Sequence, residues 1–106
     1  MQNITAYGLD VSEVEALREI FMRHEPLEKA VIFGSRAKGN HREGSDVDIA
    51  LTGPTMQFSD IVTLSLAIDE LYLPFRVDLV LFNRIKEKAL VSHIERVGKV
   101  IFEKEE

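Results

Sequence analysis

Residues 30–52 read AVIFGSRAKGNHREGSDVDIALT, and this stretch decides the architecture. Ala30-Val31-Ile32-Phe33 is a short continuous apolar run, the pattern of a buried strand. Gly34 stops it, because glycine permits a tight turn directly off a strand. Ser35 opens a helical turn, and the segment runs on as a polar loop to Gly44. From Asp46 to Thr52 the pattern alternates: Val47, Ile49 and Leu51 point one way, Asp46, Asp48 and Ala50 the other. Gly53-Pro54 closes this second strand. The link between the strands is too short for a parallel crossover through a full helix, so a mixed sheet is expected.

Outward from this centre, Val14, Leu17, Ile20 and Phe21 recur on one face of a helix expected over 11–24. Ser12 and Glu15 have capping-box spacing, and Pro26 ends the helix. A second helix is expected over 59–71, with Ile61, Leu64, Ile68 and Leu71 as its apolar stripe and Pro74 as its bound. A strand over 75–82, a helix over 85–97 stopping near Gly98, and a short strand over 99–102 complete the order. The result is a single α+β (mixed α/β) domain over 1–106, a small mixed β-sheet with helices packed on one face.

The composition narrows the function classes. The chain has 106 residues, 45% of them hydrophobic, enough for a sizeable core. No apolar run approaches the roughly 18 residues of a membrane span. Met1-Gln2-Asn3-Ile4-Thr5 lacks a signal-peptide pattern, so no membrane and a cytoplasmic location are expected. Cysteine is absent, which excludes disulfides and thiolate metal sites. The net charge of −5 argues against a broad nucleic-acid surface, and no direct nucleic-acid partner is expected. Arg36, Lys38, His41 and Arg42 nonetheless form a compact basic segment, suited to a small anion or simply to a solvated loop.

Three carboxylates carry the chemistry. Asp46 and Asp48 lie two apart on a predicted strand, so they project from the same face and repel each other unless a cation lies between them. Asp78 interrupts the apolar run Val77-Asp78-Leu79-Val80-Leu81 and faces away from its apolar neighbours. If the two strands are adjacent, the three converge into a hard oxygen site suited to Mg²⁺. An isolated D-x-D also fits a solvated strand face, and Asp78 alone fits an edge charge that blocks aggregation. Three carboxylates on one strand face are harder to explain that way, because they are depleted in strands.

Gly34 and Ser35 supply the anion half, through turn amides and a hydroxyl that can donate to phosphate. A plain strand-to-helix turn with Ser35 as cap is the alternative. The G-x-x-x-x-G spacing of Gly34 to Gly39 is not a P-loop, since Asn40-His41 stands where Lys-Ser/Thr is required. The acidic strand is not an EF-hand, because Ala50 and Gln57 occupy ligand positions.

Gly34-Ser35, ten residues, then Asp46-Val47-Asp48 resembles the G-S-x10-D-x-D signature of the DNA polymerase β-like nucleotidyltransferase superfamily. More narrowly, Gly34 to Gly39, Ser45 to Leu51, Arg76 to Val80 and the Ile94-Glu95-Arg96 to Val100-Ile101 ending are similar to the minimal nucleotidyltransferases (MNT) paired with HEPN-domain proteins. The likeness spans nearly the whole chain. It implies a polymerase β palm-like fold in which Asp46, Asp48 and Asp78 bind two Mg²⁺ ions. Asp78 would serve the ion that activates the acceptor hydroxyl. It also implies that Gly34 and Ser35 hold the phosphates of ATP, with Arg36 or Lys38 countering their charge. The activity so implied is transfer of AMP to a hydroxyl, expected to be a tyrosine of a HEPN toxin, with the chain as antitoxin. A catalytically idle binding module is the competing class, and transfer to a small molecule or nucleic acid a third. At this length the acceptor pocket is expected to come from the partner, with Tyr72, Leu73 and Phe75 as interface or core. His24, His41 and His93 lack metal-ligand spacing and are given no role, His41 being either a phosphate contact or, as loop histidines usually are, simply solvated.

Overall fold

The computed structural model describes residues 5, 7–42 and 44–105. Met1–Ile4, read above for targeting signals, and the last residue of the acidic tail, Glu106, lie outside them. The order is α1 (Val11–Arg23), β1 (Lys29–Phe33), α2 (Ser35–Lys38), β2 (Val47–Thr52), α3 (Phe58–Asp69), β3 (Val77–Leu81), a 3₁₀ turn (Phe82–Arg84), α4 (Lys88–Val97) and β4 (Lys99–Glu103). The expected elements are all present. The α1 cap differs from the expected Ser12–Glu15 box: Asp10 caps the helix, and Glu13 returns to the Asp10 amide at 2.8 Å. Asp10 wins because it is the residue left in extended conformation before the first helical turn.

The sheet order is β3-β2-β1-β4. β1 pairs antiparallel with both β2 and β4, and β2 pairs parallel with β3, so the sheet is mixed as expected. Alternation along the strands divides it into two faces. Val47, Ile49, Leu51, Ala30 and Ile32 turn to a face covered by α1 and α3, where Leu17, Phe21, Leu64 and Ile68 close the main core. Each of these large apolar side chains, fully buried, contributes about 1.5–3 kcal/mol.

The expectation of helices on one face holds for α1 and α3. α4 crosses the opposite face, where Ile94 packs with Val31, Phe33 and Ala50. Gly98 permits this: a Cβ there would run into the Ile94 carbonyl and the Val31 side chain. That second cluster occupies only part of its face. The remainder, at the end where Phe33 pairs with Asp48, carries the polar residues. Among the described residues, no helix is long and apolar enough to cross a membrane.

Candidate active site

The parallel pairing of β2 with β3 sets Asp48 opposite Asp78 in register. Both face away from the main core, because their strand neighbours Val47, Ile49, Val77 and Leu79 face it. Asp46 lies one residue before β2 and is exposed. The Asp48 carboxyl is held above its ordinary range, first by burial, then by the negative charge of Asp78, then by that of Asp46. The three therefore share one electrostatic neighbourhood in which their negative charges repel. Among the described residues no group of three or more acidic or histidine side chains is placed to hold a metal ion. The arrangement is an open one, an in-register pair with a third carboxylate at its rim. Mg²⁺ fits such a set, because it keeps several waters and takes one or two carboxylates together with substrate phosphates.

Arg76, which the sequence reading quoted but did not assign, reaches Asp78 with its Nε 3.2 Å from Oδ1. Its side chain is otherwise exposed. A guanidinium already beside this carboxylate marks the place as one that attracts positive charge. The signal was present in the sequence, since Arg76 stands two residues before Asp78 and alternation puts both on one face.

Gly34 forms the corner between β1 and α2, with φ 75° and ψ −150°, a conformation essentially reserved for glycine. A Cβ there would lie 2.6 Å from Asp48 Oδ2. The turn and the carboxylate therefore touch, and a side chain at 34 would both strain this backbone and push the Asp48 carboxylate aside. Ser35 follows at the first position of α2, half-buried. Lys38, in the last turn of α2, is exposed and free to reach an anion.

Arg36, expected to counter phosphate charge, is turned inward. It is 4% exposed, and its guanidinium donates to the Ser45 carbonyl through Nη2 at 2.7 Å and Nε at 3.3 Å, and to the Tyr7 carbonyl through Nη1 at 3.3 Å. It also stacks over Phe75, 5.3 Å from the ring centroid. These contacts fasten the loop ahead of Asp46 to the N-terminal segment and to the approach to β3. Arg36 holds the site together from beneath.

The three histidines also have defined places. His24 Nε2 pairs with Asp60 Oδ1 at 2.8 Å, joining the end of α1 to the start of α3. His41 packs against Gly8 beside Arg36. His93, on α4, accepts a hydrogen bond at Nε2 from the Gly34 amide at 3.0 Å. That contact spans 59 residues of sequence and is invisible to any local spacing rule. Of the three residues considered for an interface, Phe75 and Leu73 pack on the core, and Tyr72 alone is fully outside, 90% exposed.

With this geometry in view, comparison with known proteins is specific. The family model described as polymerase beta, nucleotidyltransferase, matches residues 15–106. No curated protein matched the sequence. Among solved structures, a chain from a toxin–antitoxin crystal structure with AMP-PNP is similar at TM-score 0.70 and 20% identity, covering 86% of this chain and 73% of that one. A protein taken to be a minimal nucleotidyltransferase is similar at TM-score 0.67 and 29% identity, covering 83% of this chain and 88% of its own. A chain from the Shewanella oneidensis complex of a tri-AMPylated HEPN toxin with an MNT antitoxin is similar at TM-score 0.65 and 18% identity, covering 88% and 71%.

Proposed function

This chain belongs to the polymerase β nucleotidyltransferase family and has the fold of the minimal nucleotidyltransferases, and from that premise we propose that it transfers AMP from ATP to a hydroxyl of a HEPN-domain toxin, acting as its antitoxin. The observation that carries this reading is the register pairing of Asp48 with Asp78 beside the glycine corner at Gly34. It is supported by neighbours of the same fold, one solved with AMP-PNP and one in complex with a tri-AMPylated HEPN toxin.

In this reading Asp46, Asp48 and Asp78 are the metal ligands, and the turn that Gly34 shapes, with Ser35 and Lys38, receives the triphosphate. Bound Mg²⁺ would neutralise charge on the phosphates and make the acceptor hydroxyl easier to deprotonate. The hydroxyl oxygen of the acceptor, expected to be a tyrosine, forms a bond to the α-phosphorus. The bond from that phosphorus to the α,β-bridging oxygen breaks, and its electron pair leaves with pyrophosphate. Asp78 takes the hydroxyl proton, as the carboxylate at the open edge of the sheet. The remaining work of the chain is positioning. Arg36 fixes the loop bearing Asp46, and Gly34 brings the phosphate turn against Asp48.

A protein partner is supported by the outer face of α3. Phe58, Val62 and Leu66 recur every four residues there, and all three are exposed. An apolar row of this kind on a surface helix marks an interaction site. A cytoplasmic setting accords with this partnership. The test is incubation with Mg²⁺, α-phosphate-labelled ATP and the HEPN partner. Label on the partner supports transfer. A stoichiometric complex without label supports the idle binding module, and label on RNA or on a small hydroxyl compound instead would move the acceptor class.

A further inference from the structure

The Gly34 amide is the first donor of the glycine–serine turn, and the imidazole of His93 holds it. We propose that His93 is a positioning residue of the nucleotide site, fixing the Gly34–Ser35 turn in the conformation that receives phosphate. The proposal rests on the nucleotidyltransferase reading of that turn and adds a residue to it.

Gly34 has no side chain with which to anchor itself, and its φ of 75° is one that a free glycine peptide exchanges readily for others. The conformation must therefore be set from outside. On the carbonyl side α2 does this, the Lys38 amide donating to the Gly34 oxygen at 3.1 Å. On the amide side, His93 Nε2 lies 3.0 Å from the Gly34 nitrogen. The imidazole is itself held. Its edge meets the ring of Phe33 in a T-shaped contact at 6.4 Å and 77°, and its neighbour Ile94 is buried against Val31, Phe33 and Ala50. Because a backbone N–H can only donate, Nε2 must be the bare acceptor nitrogen, which leaves the proton on Nδ1.

Two consequences follow. The Gly34 amide is committed to His93, so phosphate is left to the Ser35 hydroxyl and the amides after it. The turn also stands ready before nucleotide arrives, so its ordering cost is not drawn from binding energy.

The test compares His93→Phe, which keeps a ring against Phe33 but cannot accept, with His93→Gln, whose amide oxygen can. Calorimetric binding of α,β-methylene-ATP with Mg²⁺ needs no acceptor protein. Loss of one hydrogen bond predicts weakening of about 3- to 10-fold in His93→Phe, with His93→Gln within about twofold of wild type. Hydrogen exchange at the Gly34 amide without nucleotide is the second readout: protected in wild type and His93→Gln, and faster in His93→Phe. Wild-type affinity in His93→Phe, or an unprotected Gly34 amide in wild type, overturns the role of His93 alone. Equal weakening in both variants with a matching fall in melting temperature also overturns it, in favour of plain α4 packing. Failure of the wild type to bind overturns the nucleotide reading itself, and the role with it.

Discussion

Asp48 and Asp78 stand opposite each other across a parallel strand pair, on the face turned away from the main core. Neighbouring strands run about 4.8 Å apart, so the two carboxyl groups cannot avoid one another. A protein selected only for stability would not keep such a pair. Its presence beside the glycine corner at Gly34 is what the proposed cation and phosphate site rests on.

Asp48→Asn should therefore stabilise the metal-free protein. The folded-state proton affinity of Asp48 is raised, so folding holds that proton more tightly than the unfolded chain does. Its contribution is full below the unfolded carboxylate value, about 3.9, and is lost as pH rises through the raised folded value. At neutral pH the ionised group is a liability. The variant should melt a few degrees higher without Mg²⁺ and respond less to added Mg²⁺. Scanning calorimetry checks both, and an equal or lower melting temperature contradicts the argument.

Arg36→Met separates a structural arginine from a phosphate ligand. The guanidinium donates to two backbone carbonyls on different segments, and losing it leaves them unsatisfied. The expected cost is about 2–3 kcal/mol of stability in the absence of any nucleotide, measured by urea denaturation. Unchanged stability with weakened nucleotide binding would return Arg36 to the phosphate.

Much of this was legible in the residues, and the parts that were not share a cause. Alternation along residues 46–52 and 77–81 gave the faces of β2 and β3, and hence the placement of Asp48 and Asp78. The short link after Phe33 gave the mixed sheet. The inward placement of Arg36 was not legible, because its charge and its basic segment suggested an anion while its contacts lie at Tyr7 and Phe75, far away in sequence. His93 was passed over for the same reason. Its partner is a backbone amide on another element, and a backbone donor leaves no residue-type signal.

Gly34→Ala should eliminate nucleotide binding more than it eliminates folding. A Cβ would sit 2.6 Å from Asp48 Oδ2, and the corner conformation costs a non-glycine residue about 1–3 kcal/mol. The chain should still fold, with nucleotide affinity lost to a displaced Asp48 or turn. Calorimetric titration with a nucleotide analogue checks this, and wild-type affinity in Gly34→Ala would remove the corner from the site.

Acid should loosen the seam between α1 and α3. Asp60 is held below its ordinary range, first by the Gln57 amide, then by its hydrogen bond to His24. A lowered folded value means stability that is present above the unfolded carboxylate value and lost as pH falls through the folded one. Asp60→Asn should reduce the melting temperature at neutral pH and flatten its fall below about pH 4. An unchanged acid limb in the variant would exclude this pair from the pH response.

The most direct measurement is the rate at which label passes from α-labelled ATP to the HEPN partner in wild type and in Asp78→Asn, in the presence of Mg²⁺. If the carboxylate on β3 activates the acceptor hydroxyl, the variant should bind nucleotide in part yet transfer roughly 10²–10⁴-fold more slowly. Transfer at the wild-type rate would contradict it and remove Asp78 from the catalytic set.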